Sequence, residues 1–246
     1  MGKGQPLIIL HGLFGSSDNW QTHGKKLAEY FEVYLVDQRN HGRSDWSEDF
    51  SYEIMAEDLR ELVEKESIED FILMGHSMGG KTAMHYAQKY PEGIEKLIIV
   101  DMGIKAYPIH HDTILEGLKS LDLPKYEARS EADEALKKYI DNFAIRQFLL
   151  KNLYWKEKGL LAWRINIPVL EEKLDNIVEA LPNKEVMIET LFMRGGQSNY
   201  ILEEDYDAIR KVFPLAVFHN IESAGHWIHA EAPQEFINEV LGFSLR

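Results

Sequence analysis

Short apolar runs alternate with longer amphipathic stretches through the first hundred residues. Leu7 to Leu10 reads as a buried strand, and Asn19 to Tyr30 as a helix behind the Ser16-Ser17-Asp18 cap region. Phe31 to Asp37 is the next strand, followed by an irregular loop through Asn40-His41-Gly42. Ile54 to Glu66 carries apolar residues at positions 54, 55, 59, 62 and 63, the stripe of one helix face. Phe71 to Gly75 then reads as a strand, Met78 to Tyr90 as a helix and Ile94 to Asp101 as a strand. Near-continuous apolar strands separated by helices predict a parallel sheet buried on both faces.

The rhythm changes after Met102. Residues 104–183 read as helical, with Leu115, Leu118 and Leu121, then Leu136, Tyr139, Ile140 and Phe143, and no strand is expected there. The alternation resumes with a strand at Thr190 to Met193, a helix from about Glu203 to Val212, a strand at Ala216 to Ile221 and a last helix after Pro233. This predicts one α/β core domain, residues 1–103 and 184–246, interrupted by an all-helical cap at 104–183. No internal repeat, low-complexity tract or Gly/Ser-rich linker suggests two tethered domains.

Composition narrows the chemistry. Asp and Glu total 41 against 27 Lys and Arg, a formal charge of -14. Such a surface repels phosphate backbones, so neither a nucleic acid nor an anionic membrane is an expected partner. The absence of cysteine excludes disulfides, thiolate metal sites and a cysteine nucleophile, and fits a reducing compartment. Lys3 followed by Pro6-Leu7-Ile8-Ile9-Leu10 has the start of a signal peptide but no small-residue cleavage pattern, and no apolar stretch approaches about 18 residues. The expectation is a soluble, cytoplasmic chain without a membrane anchor.

The strongest local signal is Gly75-His76-Ser77-Met78-Gly79, followed by Gly80. A Gly-x-Ser-x-Gly pattern alone is weak, but here a strand precedes it and a helix follows, the elbow that lifts a serine hydroxyl out on a strained turn. A serine needs a base. His226, in Ser223-Ala224-Gly225-His226-Trp227, lies just beyond the final strand, where the base follows in chains of this order. His76 adjoins Ser77 but points elsewhere on the elbow. Two backbone N–H groups are needed for an oxyanion, and Met78 and Leu13 are the expected donors, the latter from the loop His11-Gly12-Leu13-Phe14-Gly15. The triad acid usually follows the strand at Thr190 to Met193, yet Arg194 to Tyr200 holds no carboxylate before Glu203. Asp101, where the strand Lys96 to Val100 leaves the sheet on the edge of Ser77, is therefore the expected acid. His226 with His229, and His110-His111-Asp112, have ligand-like spacings but no third and fourth ligand in register, so no metal is expected.

Four motifs, His11-Gly12-Leu13-Phe14-Gly15-Ser16, Asp37-Gln38-Arg39-Asn40-His41-Gly42-Arg43-Ser44, Gly75 to Lys81 and Gly225-His226-Trp227-Ile228-His229-Ala230-Glu231, together resemble the YbfF-like esterases among the α/β-hydrolases. The resemblance runs from about Pro6 to the C-terminus and is loosest between Lys105 and Asn142. Phe148 to Lys151 and Trp163 to Asn166 look like that family's lid. It implies an α/β-hydrolase fold, hydrolysis of small-molecule carboxylic esters and of acyl thioesters, no cofactor, and an acid at the position of Asp101. The family has an N-terminal β-hairpin ahead of its first motif strand, and few residues precede Leu7 here, so two edge strands are expected to be missing. Phe14, Phe148, Leu149, Trp163 and Trp227 are the expected apolar walls of the substrate pocket. Two other uses of the same fold stay open, a carbon–carbon bond hydrolase and a ligand receptor. Dehalogenases and epoxide hydrolases place Asp at the nucleophile position, which Ser77 opposes.

Overall fold

A computed structural model describes residues 1–108 and 112–246. Six strands form the central sheet: β1 (Pro6–Leu10), β2 (Glu32–Val36), β3 (Phe71–His76), β4 (Ile94–Val100), β7 (Glu189–Gly195) and β8 (Ala216–Ile221). Their spatial order is β2-β1-β3-β4-β7-β8, and every adjacent pair is parallel. β2 forms one edge of this sheet, directly beside β1.

Period-two alternation divides each central strand between two cores. Ile8, Leu10, Phe71, Leu73, Leu97 and Ile99 pack under α2 (Tyr52–Lys65), α3 (Met78–Lys89) and α9 (Tyr206–Val212). Leu7, Ile9, Ile72, Met74, Ile98 and Val100 pack under α1 (Gln21–Leu27) and α11 (Pro233–Ser244). All six residues of β3 are buried, as a strand with helices on both faces requires. Local signals set the helix starts: the Ser51 hydroxyl accepts from the Ile54 N–H at the head of α2, and Pro233 opens α11.

After β1 the chain adds β2 on one side and β3 on the other. The order therefore reverses between β1 and β3, and a crevice opens at their carboxyl ends, where open α/β sheets bind ligands.

The segment between β4 and β7 contains α4 (Asp112–Ser120), α5 (Arg129–Leu136), α6 (Phe143–Leu150), α7 (Ile167–Glu172) and α8 (Leu174–Val178). It is not all-helical. β5 (Leu153–Glu157) and β6 (Leu160–Trp163) form an antiparallel hairpin. Lys158-Gly159 makes the two-residue turn, and Gly159 sits at φ +80°, a conformation that suits glycine in such turns. Leu153 and Leu161 point inward to an apolar cluster with Leu118, Leu136, Leu149 and Leu170. The α10 turn (Ile228–Glu231) follows β8. No helix among the described residues is long and apolar enough to cross a membrane.

Side-chain amides tie the segment to the sheet domain. Asn152 Nδ2 donates to the Phe14 carbonyl at 2.7 Å, Asn166 Nδ2 to Asn40 Oδ1 at 3.0 Å, and Asn176 Nδ2 to the Phe50 carbonyl at 2.9 Å. Its two ends are tied to each other. The Tyr107 N–H donates to the Val178 carbonyl at 2.9 Å and the Leu181 N–H to the Ile104 carbonyl at 2.8 Å. Lys81 Nζ, on α3 and fully buried, spans both ends, donating to the carbonyls of Lys105 at 2.9 Å and Glu179 at 2.7 Å.

Burial pushes the Lys81 amine down to about 7, and a neutral amine still offers two N–H groups for the two carbonyls. An unfolded lysine titrates near 10.4. Between about 7 and 10.4 the unfolded chain thus holds the extra proton, so stability rises with pH through that window and falls as pH approaches 7. Relative to Lys81→Met, the wild type is expected to gain about 2 kcal/mol from pH 7 to pH 9 in urea denaturation. A constant difference between the two proteins would contradict it.

Candidate active site

The crevice between β1 and β3 receives its first functional group from the turn that ends β3. Ser77 has φ 53° and ψ −120°, the strained elbow conformation, and is held there by its N–H to the Val100 carbonyl at 3.0 Å. Two glycines make the turn sterically feasible. A Cβ on Gly75 would meet the Gly79 carbonyl oxygen at 2.1 Å, and one on Gly79 would meet the Leu10 carbonyl oxygen at 2.4 Å.

His226 reaches the crevice from the loop between β8 and α10. Its Nε2 lies 3.0 Å from Ser77 Oγ, and its Nδ1 lies 2.7 Å from Asp101 Oδ2. With the Nδ1 proton directed at the carboxylate, Nε2 accepts from the serine hydroxyl. Asp101 leaves β4 at φ 48° and is fully buried. A buried carboxylate persists only when its oxygens are satisfied. Here the Gly195 N–H donates to Oδ1 at 3.0 Å, while His226 and the Ser198 hydroxyl both donate to Oδ2.

The loop after β7, which carries no acid near its start, contributes in another way. Ser198 Oγ binds Asp101 and accepts from the Tyr200 N–H at 3.2 Å. The Tyr200 ring stacks on His226 with centroids 4.0 Å apart and planes at 16°. Behind the histidine, His76 Nε2 donates to the His226 carbonyl at 2.8 Å. Burial, then the neighbouring His226 and His229, holds His76 well below the usual imidazole range, so it stays neutral. Sequence reasoning left Ser198, Tyr200 and this use of His76 unidentified. The only available signal was the missing carboxylate in the loop itself.

Glu203 is 85% exposed and faces Arg194 at 4.0 Å, at the start of a helical turn. His229 is buried and stacked on Trp20 at 4.3 Å, and burial pushes it down to about 3. No group of three or more metal-ligating side chains is arranged to hold an ion among the described residues. His110 and His111 lie outside the described residues.

The two expected oxyanion donors, Leu13 and Met78, line one small cavity together with Ser77. Met78 is the first residue of α3, and the first N–H groups of a helix have no intrahelical acceptor. Leu13, on the loop after β1, borders two cavities that meet at Ser77. The larger, of about 220 Å³, is walled by Phe14, Phe148, Leu149 and Trp227 together with His226. The smaller, of about 30 Å³, lies on the Met78 side.

Trp163 reaches neither cavity. It packs against the apolar cluster of the segment and borders an outer groove with Trp46 and Tyr154. The expectation for Trp163 as a pocket wall is therefore corrected. It shares a hairpin face with its cross-strand partner Leu153, and that face packs into the segment's own apolar cluster rather than lining the space beside Ser77.

Comparison with known proteins agrees with this architecture. A sequence model of the family described as alpha/beta hydrolase fold matches residues 5–233. The chain is 37% identical over 246 residues to the sn-1-specific diacylglycerol lipase ABHD11 of Mus musculus, covering 96% of this chain and 80% of that protein. It is 33% identical over 238 residues to the esterase YbfF of Escherichia coli K12, covering 96% of this chain and 91% of the relative. Among solved structures, a marine microorganism esterase superposes with a TM-score of 0.95 at 43% identity, over 98% of this chain and 96% of that one.

Proposed function

The chain belongs to the α/β-hydrolase fold family, and from that premise we propose that it hydrolyses carboxylic esters through an acyl-enzyme on Ser77. The observation that carries this reading is the hydrogen-bonded chain from Ser77 Oγ through His226 to Asp101. His226 Nε2 takes the serine proton as Oγ attacks the ester carbonyl carbon. The carbonyl π pair moves onto oxygen, where the N–H groups of Leu13 and Met78 hold the charge. As the tetrahedral intermediate collapses, the bond to the alcohol oxygen breaks and His226 returns its proton to that oxygen. Water, deprotonated by His226, then attacks the acyl-enzyme and releases the acid and the free serine.

Asp101 orients the imidazole and stabilises its charged form, and Ser198 and Gly195 keep the carboxylate in place. Acyl thioesters fit the same steps, with a thiolate as leaving group. We place residues 104–183 over the crevice as a cap separate from the core of residues 1–103 and 184–246. Its support is the contribution of Ile114, Ile145, Phe148 and Leu149 to the larger cavity.

The test is covalent. A fluorophosphonate is expected to add once, on the peptide containing Ser77, and to stop hydrolysis of p-nitrophenyl butyrate in the same proportion. Labelling on another residue, or full turnover after Ser77 is labelled, would overturn the assignment.

A further inference from the structure

Two cavities of unequal size open from one serine, and only one of them contains the base. His226 and Trp227 line the larger cavity, while the smaller is lined by Tyr52, Met78, Met102, Tyr107, Ile177 and Val178, with Leu13, Ser77 and Tyr200 shared between the two. The tetrahedral carbon formed on Ser77 has three other substituents. Its oxyanion turns toward the N–H groups of Leu13 and Met78. Its leaving oxygen must face His226 Nε2, from which it takes a proton. The acyl substituent is left with the remaining direction, away from the base.

From this, and resting on the reading of Ser77 and His226 given above, we infer that the small cavity is the acyl site and the large cavity the alcohol site. The preferred substrates are then esters of short, uncharged acids with bulky apolar alcohols.

Size sets the first limit. A cavity of about 30 Å³ has room for a few non-hydrogen atoms beyond the carbonyl carbon, which corresponds to acyl groups from acetyl to butyryl. The larger cavity, about 220 Å³, accepts an alcohol of a dozen or so atoms.

Chemistry sets the second. Two of the three tyrosine hydroxyls of the small cavity, those of Tyr52 and Tyr107, are occupied by backbone. Tyr52 Oη donates to the Ile177 carbonyl at 2.7 Å, and Tyr107 Oη donates to the Tyr200 carbonyl at 2.7 Å while accepting from the Gly103 N–H at 2.8 Å. Tyr52 and Tyr107 present their rings, Met102, Ile177 and Val178 present methyl groups, and among the described residues lining the cavity there is no cation to pair a second carboxylate on the acyl chain.

Rigidity sets the third. The small cavity lies beneath the two ends of the segment from 104 to 183, which are joined by the Tyr107–Val178 and Leu181–Ile104 hydrogen bonds and spanned by Lys81. Enlarging it for a long chain means breaking those bonds. The larger cavity is walled instead by side chains of α4 and α6, which take no part in those bonds.

The experiment varies one half of the ester at a time and follows acid release by pH-stat. In the first series ethanol is fixed and the acid runs from acetate to octanoate. In the second, acetate is fixed and the alcohol runs from ethanol to octanol. Wild-type kcat/KM is expected to fall at least about tenfold between ethyl butyrate and ethyl octanoate, and to hold or rise from ethyl to octyl acetate. Ile177→Ala is expected to raise the octanoate-to-butyrate ratio, Phe148→Ala to change only the alcohol series, and Trp163→Ala to change neither.

A wild-type profile that is flat or rising in the acyl series overturns the inference without any variant, and so does an acyl profile that responds to Phe148→Ala but not to Ile177→Ala. Failure to turn over any ester, together with no fluorophosphonate label on Ser77, overturns the underlying reading as well. Turnover with the wrong profile overturns the cavity assignment alone.

Discussion

Ser77→Ala is expected to lower kcat for ester hydrolysis by at least about 10⁴-fold with the fold intact. Removing the nucleophile of a serine hydrolase triad costs about 10⁶ in kcat in subtilisin, and what remains comes from the oxyanion donors and binding. The elbow itself tolerates alanine. Its hydrogen bonds run through the backbone, from the Ser77 N–H to the Val100 carbonyl and from the Lys81 N–H to the Ser77 carbonyl, and neither needs the hydroxyl. Alanine also meets the same strain at φ 53° that serine already meets. The variant should therefore match the wild type in circular dichroism and urea midpoint while its single-turnover burst disappears. Activity within tenfold of wild type in a folded variant would remove Ser77 from the role.

Asp101→Asn should cost about 10²- to 10⁴-fold in kcat, and the surroundings of the carboxylate explain why. Asn has one oxygen and one NH₂ to place. The Gly195 N–H, which can only donate, faces Oδ1 and claims the amide oxygen. That puts the NH₂ at the Oδ2 position, against the Ser198 hydroxyl and His226 Nδ1. The hydroxyl can turn and accept. The imidazole accepts only by moving its proton to Nε2, where it can no longer receive the proton of Ser77. The loss thus follows from a forced tautomer as well as a missing charge. Glu203→Gln and Glu204→Gln, on an exposed helical turn, should stay within a few-fold of wild type. A normal kcat in folded Asp101→Asn with failure of either Gln variant would move the acid to the later loop.

The strand positions were legible because parallel strands buried on both faces are nearly pure apolar text. Phe71–His76 is legible to within one residue for that reason, while the half-exposed edge strand Ala216–Ile221 is legible to its ends from its place between two helices. Ser77 and His226 are legible as candidates from where they interrupt that text, and Asp101 as a candidate from the absence of a competitor in the next loop. The hairpin at 153–163 was missed because its inward residues, Leu153 and Leu161, also suit a helical stripe. Only the Lys158-Gly159 turn distinguishes the two. Trp163 was misjudged because hydrophobicity reports burial but not direction. Ser198 is an ordinary turn residue in the sequence, and its bond to Asp101 depends on a loop conformation that no spacing encodes.

The strand order also bears on how the chain emerges from a ribosome. β1 to β4 can assemble as soon as the first hundred residues are made, yet β4 must wait for β7 to cover its other side. About 90 residues separate the two, so at ordinary synthesis rates the apolar edge Leu97 to Val100 stands open for roughly 4–18 s. An unpaired strand edge is a template for another chain. Nascent chains halted near residue 185 should therefore aggregate or recruit chaperones more than chains halted after β7 has emerged.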